Sequence, residues 1–276
     1  MKNKKIKIAI LGSSGRLGQD ITRVFDNKKF IIKKILSSNC NYLDKPNNLF
    51  KILNKFKADF LINCAGLARL KDCEKNSKLA YDLNAFLPYN LSLFCKKLNT
   101  VLIHMSTEAV FFGGKKTSYT VKDIPFPKSI YGKSKFSGEK LIIDYKKALV
   151  LRLPIFYGRY DKKFMRLINK IKKNQKIYVA KDIYSTPVNT LDVARYIRLI
   201  IEKRKIQRLL KKRILHLSSN KRISYFDLIY KISKKIDKKN FVHPVKNSYF
   251  DKDGIKPKKI GLISNVNDFK IYSEKW

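Results

Sequence analysis

Two tyrosine–lysine pairs share one spacing: Tyr131 and Lys135 in PKSIYGKSK, and Tyr230 and Lys234 in YKISK. Side chains four positions apart lie on one face of a helix. A phenol titrates near ~10, and an adjacent ammonium lowers that value, so such a pair can hand a proton to a reacting oxygen near neutrality. With 62 Lys and Arg residues in the chain, the spacing arises by accident, so context has to separate the pairs. Tyr131 follows HMSTEAVFFGG, where Ser106 and Thr107 end an apolar run and offer hydroxyls to a substrate carbonyl. Tyr230 has no such neighbours, and we assign it to packing.

A second candidate stands at the start of the chain. GSSGRLG, residues 12–18, places three of the eleven glycines at intervals of three, directly after KIAIL and before a helical pattern. A strand, a glycine turn and a helix N-terminus together make a seat for a dinucleotide pyrophosphate. The candidate cradle is Gly12, Ser14, Gly15, Arg16, Leu17 and Gly18. An acid at the end of the second strand would select NAD. Here Ser37 and Ser38 hold that place and the nearest acid, Asp44, comes late, while Lys33, Lys34 and Arg16 are close. This favours NADPH over NADH. NCAG, ending in Cys64, Ala65 and Gly66, closes a third strand with side chains small enough to lie under the cofactor, or simply to fill core.

The elements that must position these residues alternate. KIKIAIL, FIIKKIL, ADFLIN, TVLIHMS and ALVLRL read as strands. Between them lie helical patterns, including a long one over Glu74–Leu98 and another from Ser129 to Tyr145. Such alternation predicts an α/β fold: a Rossmann-like, doubly wound parallel sheet with ligands beyond the carboxyl ends of its strands. Residues 1–153 form the expected dinucleotide-binding domain. Residues 154–276 complete the sheet with the strand ILHLSS and add a smaller C-terminal lobe for substrate.

Composition narrows the classes. The formal net charge is +41, but it comes mostly from lysines scattered along the chain. Nucleic-acid binders tend to concentrate charge and interleave arginine or aromatic residues, so a nucleic-acid partner is not expected. The basic stretch RYIRLIIEKRKIQRLLKKR reads as an amphipathic helix with a solvated face. Four cysteines show no CxxC pair and no metal-ligand spacing with the three histidines, so no metal is expected and a reducing cytoplasm is. The opening apolar run is too short for a signal peptide, and no run approaches a membrane span.

Taken in order, GSSGRLG, NCAG, Asn84 in AYDLNAF, STEAVF, YGKSKFSGE and RLPIFYG resemble the extended short-chain dehydrogenase/reductases, and among them the dTDP-4-dehydrorhamnose reductase branch. The resemblance covers most of the first 160 residues. It implies hydride transfer from a nicotinamide to the keto carbon of a nucleotide-linked 4-keto-6-deoxy sugar. Tyr131 would protonate the alkoxide, Lys135 would hold the nicotinamide ribose and lower the Tyr131 pKa, and Thr107 would hydrogen-bond the substrate oxygen. Pro154 falls beside the cofactor; Ser106, Glu108 and Phe156 fall on the substrate. The sequence also departs from the branch. Glu108 replaces an aspartate, Pro154–Phe156 replaces a tryptophan-containing segment, and Tyr184–Asn189 is closer to other sugar reductases and epimerases. A nucleotide-sugar epimerase or dehydratase, and a non-catalytic nucleotide-binding regulatory subunit, stay open as alternatives. By analogy, helices 74–98 and 129–145 offer a homodimer face.

Overall fold

The computed structural model describes residues 5–36, 46–203, 205–251 and 257–271. In chain order the elements are β1 (Ile6–Leu11), α1 (Arg16–Phe25), β2 (Phe30–Ile35), α2 (Pro46–Phe56), β3 (Phe60–Asn63), α3 (Leu70–Lys75), α4 (Ser77–Tyr81), a π-helical turn (Asp82–Phe86), α5 (Leu87–Lys97), β4 (Val101–Thr107), α6 (Ile130–Ile142) and β5 (Ala148–Leu153). Then follow β6 (Phe156–Tyr157), α7 (Lys162–Lys172), β7 (Ile177–Ala180), β8 (Tyr184–Ser185), β9 (Val188–Asn189), α8 (Thr190–Glu202), α9 (Ile206–Leu210), β10 (Ile214–His216), β11 (Ile223–Ser224), α10 (Tyr225–Lys235) and β12 (Val242–Val245).

Six strands form one parallel sheet in the order β10-β5-β4-β3-β1-β2. Its central strands are apolar on both faces because helices cover both. β1 shows the division. Ile8 and Ile10 join a core with Leu17, Ile21 and Phe25 of α1 and Ile197 and Ile200 of α8. Ala9 and Leu11 face Leu49, Leu53, Leu87 and Leu91 on the other side. Strand order reverses between β1 and β3, since β2 lies on one side of β1 and β3 on the other. A ligand crevice opens at that reversal, beyond the strand ends.

The expected helix over 74–98 is broken. Asn76 leaves helical geometry and its side chain accepts from the Leu79 backbone N–H at 2.9 Å, which starts α4 afresh. Asparagine does this because its short amide competes with the backbone for hydrogen bonds. A π turn then intervenes before α5, carrying Asn84 inward. The basic stretch after Tyr196 also splits, into α8 and α9, whose apolar sides enter the main core. The strand in ILHLSS is limited to Ile214–His216. No described helix is long and apolar enough to cross a membrane.

Beyond β5, α7, β7, α10 and β12 pack around their own core of Phe164, Ile168, Val179, Leu228, Ile229 and Val242. The β7–β12 pair is parallel and falls outside the strands expected from sequence. Its two segments lie far apart in the chain, and neither alternates cleanly.

Candidate active site

The glycine loop folds as its residues require. Gly12 has φ +72°, and a Cβ there would stand 2.7 Å from the Ala65 backbone nitrogen. A Cβ on Gly18 would stand 2.2 Å from the Gly12 carbonyl oxygen. Both positions therefore exclude any larger residue. Gly15 is the N-cap of α1, and no side chain caps that helix. Its first N–H groups, with the positive end of the helix dipole, are left for an anion. The neighbouring Ser13 hydroxyl is buried without a hydrogen-bond partner.

A cavity of about 170 Å³ opens over this loop, walled by Gly15–Gly18, Cys64–Gly66, Met105, Tyr131 and Lys135. These residues fit a dinucleotide: an uncapped helix start for the pyrophosphate and small side chains along the β3 end. A second cavity, of about 320 Å³, adjoins it. Its walls include Thr107, Glu108, Pro154, Ile155, Lys163, Tyr184 and Ile260. Arg16, Ser106, Tyr131 and Phe156 line both. Tyr131 thus stands where the two spaces meet.

Ser129 caps α6 by accepting from the Gly132 N–H, which fixes where the helix begins and so where Tyr131 and Lys135 point. Lys135 is buried, and its Nζ donates to the Met105 carbonyl at 3.0 Å. Burial lowers its pKa to about 8, with Cys64 and Glu139 pulling the other way. The Thr107 side chain faces the Tyr131 phenol, and its hydroxyl accepts from the Ala109 N–H at 3.1 Å. The expectation that Lys135 lowers the Tyr131 pKa is not met. Burial is the largest effect and raises it; Thr107 opposes, and Lys135 is not among the leading influences. The ammonium is directed at the Met105 carbonyl rather than at the phenol.

Asn84 holds the floor of the site. Its side chain accepts from the Leu67 N–H at 3.0 Å and donates to the Leu67 carbonyl at 2.9 Å and to Ser134 Oγ at 3.0 Å. It thereby joins the loop after β3 to α6. The π turn makes this reach possible, as such turns often do at functional sites.

Several assignments change. The Ser106 hydroxyl is spent on Glu139, not held out for a carbonyl. Glu108 accepts from the Ile155 N–H at 3.0 Å and from Ser185 Oγ at 2.8 and 2.9 Å. Its carboxylate therefore shapes the cavity wall instead of projecting at a sugar. Pro154 lines the larger cavity and not the one over the glycine loop. Arg16 pairs with Asp161 at 2.7 Å and lies 4.5 Å from the Phe156 ring centroid, which commits it to the cleft. Leu17 is buried against the sheet, and Ser14 contributes its carbonyl to Gln19. Burial pushes the Cys64 thiol up to about 12, so it is a protonated wall residue. Asp44, Ser37 and Ser38 lie outside the described residues. Sequence reasoning missed Ser13, Asp161, Ser185 and Tyr184. Asp161, Ser185 and Tyr184 reach the site only through contacts distant in the chain, and Ser13 carries no pattern of its own.

Fold and site together define an extended short-chain dehydrogenase/reductase: a switch-point crevice, a glycine cradle, and a Tyr-x-x-x-Lys helix at the strand tips. The chain belongs to the family described as the RmlD substrate binding domain, whose model matches residues 6–270. It is 29% identical over 226 residues to the dTDP-4-dehydrorhamnose reductase of Aggregatibacter actinomycetemcomitans, spanning 80% of this chain and 76% of that protein. It is 26% identical over 235 residues to the methionine adenosyltransferase 2 subunit beta of Pongo abelii, 80% and 70% of the two chains. A crystal structure of the Bacillus anthracis dTDP-4-dehydrorhamnose reductase in complex with NADP superposes with a TM-score of 0.85 at 24% identity, covering 95% of this chain and 92% of that one.

Proposed function

We propose that the protein is an NADPH-dependent reductase of a dTDP-linked 4-keto-6-deoxy sugar. The observation that carries this is the position of Tyr131: it lines both cavities, with Lys135 one turn behind it under the same wall. Gly12, Gly15, Gly18 and the start of α1 would seat the pyrophosphate, with Ser14, Arg16 and Leu17 completing the loop. Cys64, Ala65 and Gly66 would line the nicotinamide half, and Lys135 would hold its ribose. Bound NADPH would supply the hydride. Thr107 and Tyr131 hydrogen-bond the keto oxygen, and Tyr131 gives its proton as the alkoxide forms. Burial keeps the Tyr131 phenol protonated, the state a donor must hold before the step. Phe156, Glu108 and Pro154 shape the sugar pocket.

Residues 1–153 serve the cofactor and residues 154–276 the sugar, in the cytoplasm. The exposed Phe86, Tyr89 and Leu93, with Leu141 on α6, form a homodimer face in this reading.

The test is purified protein with NADPH or NADH and the 4-keto sugar nucleotide, following nicotinamide absorbance. Steady oxidation, faster with NADPH, is expected. A cofactor that co-purifies and returns unchanged would point instead to an epimerase. The similarity to a methionine adenosyltransferase 2 subunit beta favours one further reading, a non-catalytic nucleotide-binding subunit; NADPH binding without turnover on any 4-keto sugar would favour it over the reductase.

A further inference from the structure

Three consecutive residues at the end of β4 meet, one each, three residues of α6. The Met105 carbonyl accepts from Lys135. The Ser106 hydroxyl donates to Glu139. Thr107 faces Tyr131 and acts on its phenol. Residues 131, 135 and 139 are successive turns of one helix face. The Glu139 rung is the deepest. Its side chain and that of Arg152 are each 2% exposed and meet at 2.7 Å, with Arg152 Nε a further 3.0 and 3.2 Å from the two carboxylate oxygens. Arg152 in turn lies 3.4 Å from His216 Nε2. Ser106 and Arg152 are register partners across β4 and β5, and Arg152 and His216 across β5 and β10. One row spanning three strands is therefore bolted to α6 through a single carboxylate, and the reaction proposed above makes no use of it.

We propose that Glu139 is a positioning residue, which with Ser106 and Arg152 sets the axial register of α6 on β4 and keeps a negative charge one turn from the Lys135 ammonium. This rests on the reading of Tyr131 and Lys135 as the reacting pair. The groups facing Lys135 are Cys64 from the end of β3, Cys73 of α3, His104 of β4 and Glu139 itself. Burial holds the two thiols up at about 12 and about 11, so both are neutral at working pH. Burial also holds His104 neutral. Glu139, itself paired with Arg152 of β5, is then the negative charge among these that offsets the desolvation of Lys135. A slip of α6 by one residue would break the ties of both Lys135 and Glu139 to β4, so register and charge are set by the same side chain.

The test follows the Lys135 side-chain Nζ by NMR against pH, assigned with Lys135→Met, in parallel with turnover. The wild-type midpoint is expected at about 8. In Glu139→Gln it should fall by about half a unit or more, because an opposite charge is removed, and the alkaline limb of kcat/KM should move with it. Glu139→Gln strands a buried guanidinium and can cost folding. Glu139→Gln/Arg152→Gln removes both charges, leaves none uncompensated, and should still shift the midpoint down but by less, because a cation that disfavours the Lys135 ammonium goes with the carboxylate. Ser106→Ala cuts only the tie to β4; we expect a kcat loss of about tenfold with KM for NADPH little changed, the cost of a misplaced helix. An unmoved Lys135 midpoint in both Glu139 variants overturns the proposal, as does wild-type kcat in Ser106→Ala. Should the wild type itself fail to turn over, the reductase reading falls, and the NMR midpoints still decide the role of Glu139.

Discussion

YGKSK at 131–135 and YKISK at 230–234 carry the same Tyr-x-x-Ser-Lys pattern on helices, yet they do different work. In both, the serine hydroxyl donates to the tyrosine carbonyl three residues back, at 3.1 Å for Ser134 and 2.8 Å for Ser233. The divergence is in what the helix meets. α6 lies against the carboxyl end of β4, so Lys135 is 6% exposed and Tyr131 lines two cavities. α10 lies against the β7–β12 pair, so Tyr230 packs on Phe226 with ring centroids 5.5 Å apart, and Lys234 points to solvent. Spacing makes a pair geometrically possible; only desolvation at a strand tip gives it perturbed chemistry.

The strongest way to break that contrast is a pair of phenylalanine substitutions. Tyr131→Phe removes the proposed proton donor and should cut kcat by about 10²- to 10⁴-fold, the usual worth of a positioned acid. Tyr230→Phe should leave turnover within about twofold, since no reacting group is near. Equal losses at both sites, or at neither, would show that position in the fold does not separate the pairs.

Lysine substitutions come next. Lys135→Met should raise KM for NADPH and lower kcat about tenfold or more, while Lys234→Met should do neither. The pair also differs in pH response. Lys135 titrates at about 8 in the folded chain, below its ordinary 10.5. Cofactor affinity should therefore weaken as pH rises through about 8, as the ammonium is lost. Stability runs the opposite way. Between about 8 and 10.5 the unfolded chain holds a proton on this group that the folded one has released, so this group's contribution rises with pH across that window. Thermal melts of the wild type against Lys135→Met should show the difference in slope. Coincident curves would mean that Lys135 is not desolvated.

The contrast also explains what was legible beforehand. The parallel sheet could be read from β1, β3, β4 and β5, because buried parallel strands are unbroken apolar runs. The glycine cradle could be read because Gly12 and Gly18 answer local steric demands. Tyr131 was separable from Tyr230 only by its place after the fourth strand. What stayed hidden depends on distant partners. Glu108 looks like a ligand for substrate until Ser185, far along the chain, is seen to claim its carboxylate. Ser106 looks free until Glu139 and Arg152 are assembled behind it. The break at Asn76 was masked by the helical periodicity around it, and the π turn at Asn84 has no periodic signature of its own.

The finest probe of the comparison is the serine that both motifs share. Ser134 accepts from Asn84 Nδ2 at 3.0 Å, and Asn84 in turn fixes the backbone of Leu67 beside the cavity over the glycine loop. Ser233 is buried as well, but the bond recorded for its hydroxyl stays within α10. Each alanine replacement removes one neutral hydrogen bond from its own helix, worth about 1 kcal/mol of stability. Ser134→Ala should therefore melt lower than Ser233→Ala, because it also leaves a buried Asn84 N–H without its acceptor. Only Ser134→Ala also frees the Asn84 amide, so only it should lower kcat, by a few-fold, as the β3 loop loses its tether to α6. A kcat loss in Ser134→Ala without one in Ser233→Ala would locate the difference between the motifs in the Asn84 clamp. Matching kcat would move it back to the strand tip alone.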